Sequence, residues 1–422
     1  MQAIVAASEH PKSISWVLNL FQGKNLPVGF LEDSDNALDA KTRDRLTWWR
    51  ENTAKDKIQR LAEGTDDRDQ RIWAFVMPAF IRVGLDQQPA VIGLFKDALS
   101  SAVVRFHPLI ASLAGIGGKS PVAAPARSPM PYRQNTPREP PRDRVDEHRM
   151  IIGQWQTWLS MLCATAVENR AAFVREHTRA HSELQSLRER LYSPKGLFRT
   201  VIPFLASENG IFRSAVVTAL SCIHPTAFKS LLEYLKGITE HARTNSQDRL
   251  HTAVAQVYQL TAHFIKYPRA LEDTTALTLL LGFVRATTQF LRSPSTREDL
   301  ELQRLRRFFC GVVENLFDGL SAVGEEDSQR WLSENQRLSL YRLCEEWCLY
   351  GKDSDRTRRQ FGSESAGGSQ FYIMETEQLS AAAAGAMAAL CVGQNTWPVS
   401  CPDAYFPSGE LSSPTTCHHP HL

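Results

Sequence analysis

A run of glycines beside a lysine and a serine, GIGGKS at residues 115–120, is similar to the end of a phosphate-binding loop. The complete motif needs another glycine five positions before the one that precedes the lysine, and Leu113 occupies that position. The motif also needs a strand before the run and a helix after it, whereas a helical pattern precedes this run and Pro121 follows it. The run is therefore interpreted as linker sequence, and no nucleotide cofactor is predicted.

Two groups of histidines and cysteines could bind a metal ion. His177 and His181 stand four residues apart, so a helix would place both imidazoles on one face, but a zinc site needs a third and usually a fourth ligand. Glu176 precedes His177 instead of following it, unlike the metalloprotease pattern, and a solvated polar face is the preferred interpretation. No metal is predicted in the C-terminal group either, because its spacing fits no common zinc module; its members are Cys401, Cys417, His418, His419 and His421.

No nucleophile, base and acid stand in a recognisable catalytic arrangement. Cys344 and Cys348 flank Trp347 at helical spacing and are expected to be small buried hydrophobes. Catalytic groups need not be adjacent in sequence, so an unrecognised enzyme stays open as an alternative. We predict that the protein is not an enzyme and has no catalytic, cofactor-binding or metal-binding residue.

The overall composition favours a cytosolic protein with a sizeable core. Of the 422 residues 43% are hydrophobic, and 48 basic and 46 acidic residues leave a formal net charge of +2. This balance gives no reason to expect nucleic acid or an anionic membrane as the main partner, and the scattered cysteines indicate a reduced compartment. Local arginine clusters could contact acidic partners, although a solvated helix face is the commoner explanation; they are Arg304, Arg306 and Arg307, and Arg356, Arg358 and Arg359.

No targeting or membrane segment is predicted. The N-terminal residues lack the basic region and the apolar run of a signal peptide. The longest strongly apolar run, residues 277–284, is far shorter than the roughly 18–20 residues of a membrane-spanning helix. A soluble cytoplasmic protein without an integral membrane segment is expected.

The chain has the pattern of successive amphipathic helices, and residues 190–235 show this most clearly. The first helix of this stretch is predicted from apolar residues at helical spacing, which are Ile211, Ala215, Val216, Ala219 and Leu220. Pro225 stands at a helix start, where its missing N–H costs nothing, and the stripe of the second helix is Phe228, Leu231, Leu232 and Leu235. Two such helices cannot bury both faces alone and need neighbours on each side.

Further helices are predicted at 89–106, 248–266, 274–291, 296–320 and 335–350. Ser333 and Gln336 form a capping-box pattern before the last of them. Paired helices begin near 211, 247 and 296, spacings of the size of HEAT or armadillo units, although no sequence motif repeats. We therefore predict an all-α fold, a HEAT/armadillo-like helical-repeat solenoid.

Composition divides the chain into an ordered and a disordered part. Seven prolines between Pro121 and Pro141, among few large apolar residues, predict a disordered Pro-rich linker, and the residues after 393 predict a disordered tail. The expected organisation begins with an N-terminal helical segment (1–114), the linker (115–145) and a helical-repeat core (146–350). A loop (351–370), an Ala-rich helix (371–393) and the tail (394–422) follow.

Four long blocks of unusual composition are similar to the central region of the Furry-like cell morphogenesis proteins of fungi. They are residues 143–165 (DRVDEHRMIIGQWQTWLSMLCAT), 190–223 (RLYSPKGLFRTVIPFLASENGIFRSAVVTALSCI), 300–320 with 330–351, and 374–393 (METEQLSAAAAGAMAALCVG). Their order and spacing also fit, so the resemblance covers roughly residues 40–393.

The resemblance implies an all-helical scaffold in polarised growth and cell shape. It implies an NDR-family kinase and its Mob co-activator as partners, and a location in the cytoplasm at the cell cortex and sites of polarised growth. It supplies no catalytic residues. Family members are several times longer and the similarity stops after Gly393, so an internal fragment or a truncated gene model is expected.

One possible phosphosite follows from the resemblance. Residues 177–182, HTRAHS, fit the H-x-R-x-x-S/T preference associated with NDR-type kinases, and Ser182 is the acceptor in this pattern. A chance match on a polar helix is the alternative.

The leading hypothesis is a non-enzymatic scaffold whose stacked helices bind partners along an extended surface. A helical-repeat adaptor or tethering factor in membrane traffic is the alternative, and it would bind linear peptides or membranes. An unrecognised enzyme would need a deep cleft with perturbed titratable groups.

Overall fold

The structure is a computed structural model of the chain. Its described residues are single positions between 41 and 85 and the ranges 89–116, 142–167, 183–244, 247–266, 274–293, 300–321, 331–349 and 366–391. Predictions for His177, His181, Ser182, the C-terminal histidines and cysteines and the Arg356 cluster lie outside these residues. The same holds for the tail and for most of the predicted linker (115–145) and loop (351–370), namely residues 117–141 and 351–365. The described C-terminal ends of these two segments, residues 142–145 and 366–370, are helical, so the predicted bounds were wrong there.

All regular structure in the described ranges is helical, with no strand among them, which confirms the all-α class. The α-helices are α1 Pro89–Leu113, α2 Arg142–Ala164, α3 Glu183–Arg190, α4 Pro194–Val201, α5 Gly210–Ser221, α6 Phe228–Thr244, α7 Asp248–Thr261, α8 Thr274–Leu291, α9 Leu300–Ser321, α10 Glu334–Leu349 and α11 Ala366–Cys391. Short 3-10 turns follow α4, precede α6 and follow α7, at Ile202–Ala206, Pro225–Ala227 and Ala262–Lys266.

The local signals for helix ends agree well with the structure. The prediction for 274–291 coincides with α8. Pro225 opens a 3-10 turn that runs directly into α6, and His224 caps this turn by accepting a hydrogen bond from the Thr226 backbone N–H. Before α10, the Ser333 backbone N–H donates to Gln336 Oε1 at 3.3 Å, which is one of the two bonds of the predicted capping box.

The predicted apolar stripe of α5 was wrong at one position. The Ile211 side chain is 43% exposed, whereas Phe212 and Val217, which were not predicted, are buried. The reason is that α5 packs against α2 on one side and α7 on the other. A helix with two neighbours buries more than the single stripe that its spacing indicates.

The chain alternates between two rows of helices from α4 onward, and α2 belongs to the first row. In the first row α2, α5, α7, α9 and α11 each pack against the next. In the second row α4 packs against α6 and α6 against α8, and Arg292 of α8 donates to the Ser339 carbonyl of α10 at 2.8 Å. Contacts between α6 and α7, α8 and α9, and α10 and α11 join the rows.

One continuous core lies between the rows. Aromatic rings connect successive helices within it, and each contacting pair has its ring centroids 3.9–6.2 Å apart; the pairs are Trp155 with Phe212, Tyr258 with Phe283, and Phe309 with Trp347. These contacts link α2 to α5, α7 to α8, and α9 to α10. Buried aromatic pairs of this kind stabilise a fold beyond the area they bury.

Close approach of α9 to the end of α7 depends on a glycine. A Cβ atom on Gly319 would overlap Cγ2 of the buried Ile265, whereas a Cβ on the exposed Gly282 of α8 would meet nothing within 4 Å. We expect Gly319→Ala to lower the free energy of unfolding by about 1–2 kcal/mol, because overpacking outweighs the better helix propensity of alanine. Gly282→Ala, the matched control, is expected to raise it by up to about 1 kcal/mol. Urea unfolding of both variants tests this, and equal stabilisation by both would contradict it.

Candidate interaction surfaces

The first glycine of the phosphate-loop-like run terminates a helix. Gly115 has a φ of 70°, in the left-handed region, directly after α1. The Ile116 backbone N–H donates to the Ala111 carbonyl at 2.9 Å and the Gly115 N–H to the Ser112 carbonyl at 3.2 Å, which is the Schellman arrangement of a helix C-terminus. The conformation of this glycine is therefore explained by helix termination, while residues 117–120 lie outside the described ranges.

Within the part of the chain that the structure describes, no three His, Cys, Asp or Glu side chains lie close enough to hold a metal ion. Cys344 is buried as predicted, and Cys348 is only half-buried. Cys310 of α9 forms a hydrogen bond with Cys344, and burial raises the pKa of the Cys310 thiol well above its usual value. A buried thiol of raised pKa is a poor nucleophile, so Cys310 serves packing.

The Arg304 cluster of α9 forms an interhelical contact, so its interpretation as a solvated face was wrong. Arg304 Nε lies 3.1 Å from Glu375 Oε1 of α11, and Arg307 Nε lies 3.1 Å from Glu375 Oε2. Glu375 and Arg306 are each only 5% exposed, and the Arg306 guanidinium lies 5.6 Å from the centre of the Trp347 ring. The three arginines therefore connect α9 to α10 and α11.

Lys96 holds the ends of two helices together, a role that the sequence analysis did not predict. Its ammonium group donates to the Thr165 carbonyl, just after α2, at 3.2 Å and to the Tyr192 carbonyl, just after α3, at 2.9 Å. Carbonyls at helix C-termini carry partial negative charge and favour a cation. Lys96 is almost fully buried, and this burial lowers its pKa to about 8. The available signal was a lysine inside the apolar stripe of 89–106.

A small cavity of about 220 Å³ lies where α1, α3 and α4 meet. His107, Arg190 and Arg199 contribute its basic side chains, and Phe204 contributes part of the apolar wall. Burial lowers the pKa of His107, which favours its neutral form. The cavity is smaller than the sites that usually bind small molecules, which are about 300–1,000 Å³.

A larger groove of about 340 Å³ separates α8 from α10 in the second row; it is called the α8–α10 groove below. Its floor consists of the buried side chains of Val284, Leu332 and Leu340. Arg285 and Arg292 extend across it from α8 towards the carbonyls of Trp331 and Ser339. Helix α8 packs mainly against α6, and α10 packs mainly against α11, which leaves this surface open between α8 and α10.

No single helix in the described ranges has the length and apolar character needed to cross a membrane. The segments Gly210–Ser221 and Pro225–Thr244 meet that requirement only when taken together, and they are bent by 109° at the break between them.

Comparisons with known proteins give fungal relatives of low sequence identity. No protein-family model and no solved structure matches it. It is similar to Cell polarity protein mor2 of Schizosaccharomyces pombe, 23% identical over 367 residues, and to Cell morphogenesis protein PAG1 of Saccharomyces cerevisiae, 22% identical over 303 residues. The matches cover 77% and 69% of this chain but only 16% and 12% of the two relatives. They confirm the resemblance predicted from the four sequence blocks: the homologues of this chain are Furry-like cell morphogenesis proteins of fungi.

Proposed function

We propose that this chain is a non-enzymatic scaffold in cell morphogenesis and polarised growth, which supports signalling by an NDR-family kinase. The observation that carries the proposal is its homology to two proteins named for cell polarity and cell morphogenesis. The packing supports it, because two rows of helices present long outer surfaces on which partners can bind through many modest contacts.

The two rows are proposed to be a HEAT/armadillo-like solenoid. Successive pairs α6–α7, α8–α9 and α10–α11 each join one helix of the second row to one of the first. The Ala-rich helix α11 packs on both α9 and α10, so it extends the array formed by the core helices. A one-dimensional array of this kind supplies binding area in proportion to its length.

An NDR-family kinase and its Mob co-activator are the proposed partners, and the cytoplasmic face of the cell cortex at growth sites is the proposed location. Ser182 is proposed as a target of that kinase. Phosphorylation of the purified chain should label Ser182, and a Ser182→Ala variant that takes up the same label would exclude this site.

Binding of the kinase tests the main proposal. We expect the immobilised full-length chain to retain a purified NDR-family kinase together with Mob, and an unrelated immobilised α-helical protein to retain neither. Size-exclusion chromatography of the mixture should show a complex that elutes before each component. Failure of the folded chain to retain the kinase, with or without Mob, would contradict the scaffold proposal.

A further inference from the structure

The α8–α10 groove combines an apolar floor with charged side chains of one sign, which is positive. Val284, Leu332 and Leu340 form the floor, and each is at most 4% exposed, so the groove is the surface of the packed core itself. Among the described residues, the lining includes two arginines and no carboxylate. An occupant of this groove therefore has to offer apolar side chains to the floor and negative charge to the two guanidinium groups.

Backbone carbonyls of the neighbouring segment hold both arginines. Arg292 Nη2 donates to the Ser339 carbonyl at 2.8 Å, and Arg285 Nη2 donates to the Trp331 carbonyl at 3.5 Å. Each guanidinium keeps further N–H donors, because arginine has five. Neither arginine has an ion pair within the described ranges, in contrast to Arg304 and Arg307. Arg292 is thus positioned before any ligand binds, and Arg285 more weakly so, which reduces the entropy cost of binding.

The separation of the two arginines defines the spacing of the ligand's acidic groups. Arg285 and Arg292 are seven residues apart on α8, which corresponds to two helical turns and about 10 Å along the axis. A helical peptide with two acidic residues at the same seven-residue spacing can present one carboxylate to each guanidinium. Leucine-sized side chains between those carboxylates would then face the floor, as in helix-in-groove recognition.

We propose that the α8–α10 groove binds an acidic amphipathic segment of a partner protein. This inference rests on the proposed scaffold function in one respect, because both require a protein partner. It adds the surface and the chemical class of the segment that the surface recognises.

A defined peptide tests the groove. The probe is a fluorescein-labelled peptide with glutamates seven residues apart and leucines on the same helix face, and the matched probe has lysine in place of each glutamate. We expect the full-length chain to bind the glutamate peptide, measured by fluorescence anisotropy, and to bind the lysine peptide at least roughly tenfold more weakly. Equal binding of the two peptides, or no binding of the glutamate peptide, would overturn the proposal.

Variants assign the binding to the groove. Replacing both Arg285 and Arg292 by glutamine should weaken binding of the glutamate peptide roughly tenfold or more. Ser339→Trp, which fills the groove and keeps both arginines, should weaken it as well. The matched control is Arg342→Glu, which makes the same change in net charge at an exposed position of α10 outside the lining and should leave the affinity within about twofold. Circular dichroism and urea unfolding verify that each variant is folded, and equal losses in the control and the groove variants would overturn the assignment.

Two further outcomes separate this inference from its competitors. Binding of phosphatidylserine vesicles that is lost in the glutamine variant, without peptide binding, would make the groove a lipid contact and overturn the proposal. Peptide binding without retention of the kinase would refute the scaffold's proposed partner and leave the groove assignment intact. Retention of the kinase by a chain that does not bind the peptide would overturn the groove assignment and leave the proposed kinase partner intact.

Discussion

Replacing Glu375 by alanine is expected to lower the free energy of unfolding by about 3 kcal/mol, the largest single-residue effect that we expect in this fold. The carboxylate is 5% exposed and lies 3.1 Å from a nitrogen of both Arg304 and Arg307. Removing one partner of a buried ion pair costs about 3–5 kcal/mol when the remaining charge loses its counterion, as Arg307 does here, whereas Arg304 keeps Glu301 of its own helix at 3.2 Å. The lower end of that range applies here, because the side chains of Arg304 and Arg307 are 35% and 24% exposed.

Urea unfolding followed by circular dichroism measures this effect, and the same helix offers a matched control. Glu377 is exposed on α11, so Glu377→Ala should change the stability by no more than about 0.5 kcal/mol. Replacing Arg307 and Glu375 together by Met and Leu should cost less than Glu375→Ala alone, since Arg304 keeps Glu301 and no uncompensated buried charge remains. Equal effects of the two single alanine variants would mean that the ion pairs do not hold α11 to α9.

Acidification from pH 7 to pH 4 is expected to remove about 3 kcal/mol of stability through His251 alone. This side chain of α7 is 1% exposed, packs edge-on against Phe290 at 5.0 Å, and has no hydrogen-bond partner on either ring nitrogen within the described ranges. Burial, with a smaller contribution from the positive charge of Arg243, lowers the pKa of His251 to about 4 from 6.5. That difference in pKa corresponds to about 3 kcal/mol.

The sign follows from which state binds the proton. Between pH 6.5 and about 4 the unfolded chain carries a protonated His251 and the folded chain a neutral one, so the free energy of unfolding falls as the pH falls. The contribution is complete at neutral pH and does not change above it. His251→Phe, which cannot be protonated, should therefore lose about 3 kcal/mol less than the natural chain between pH 7 and pH 4.

Urea unfolding at a series of pH values gives the slope of the free energy of unfolding against pH for the natural chain and for His251→Phe. Carboxylates that titrate in the same range contribute equally to both slopes, so their contribution cancels in the difference. His148 is an exposed histidine of α2, and His148→Phe should keep the slope of the natural chain. Identical slopes for His251→Phe and the natural chain would contradict the prediction, because they would mean that His251 binds its proton equally well in the folded and unfolded states.

The prediction of helices succeeded where the residues that determine a helix end are close to it in sequence. The start and end of α8, the proline before α6 and the Ser333–Gln336 cap depend on residues within one or two turns of each other, so the sequence pattern is sufficient for them. The prediction failed at Ile211, because which side of α5 is covered depends on α2 and α7, which lie elsewhere in the chain. Spacing indicates a stripe, and only packing decides how wide the buried face becomes.

The residues of the candidate surfaces were less predictable than the helices. Arg304 was visible in the sequence as part of a basic cluster, but its partner Glu375 is 71 residues away and on another helix. Lys96 and His251 were polar residues within apolar patterns, a signal that indicates burial without identifying a partner. Arg285 and Arg292 carried no signal at all, because a groove between α8 and α10 exists only once both helices are packed.

The amino-acid sequence by itself determined the all-α class, most of the helix boundaries and the resemblance to fungal morphogenesis proteins. These properties depend on hydrophobic periodicity, capping residues and long blocks of similar residues, all of which are present in a linear chain. Only the tertiary structure decided the alternation between two rows, the ion pairs between α9 and α11 and the arginine-lined groove. Those features arise when segments distant in sequence bury each other's faces, and helical periodicity does not record which segment covers which.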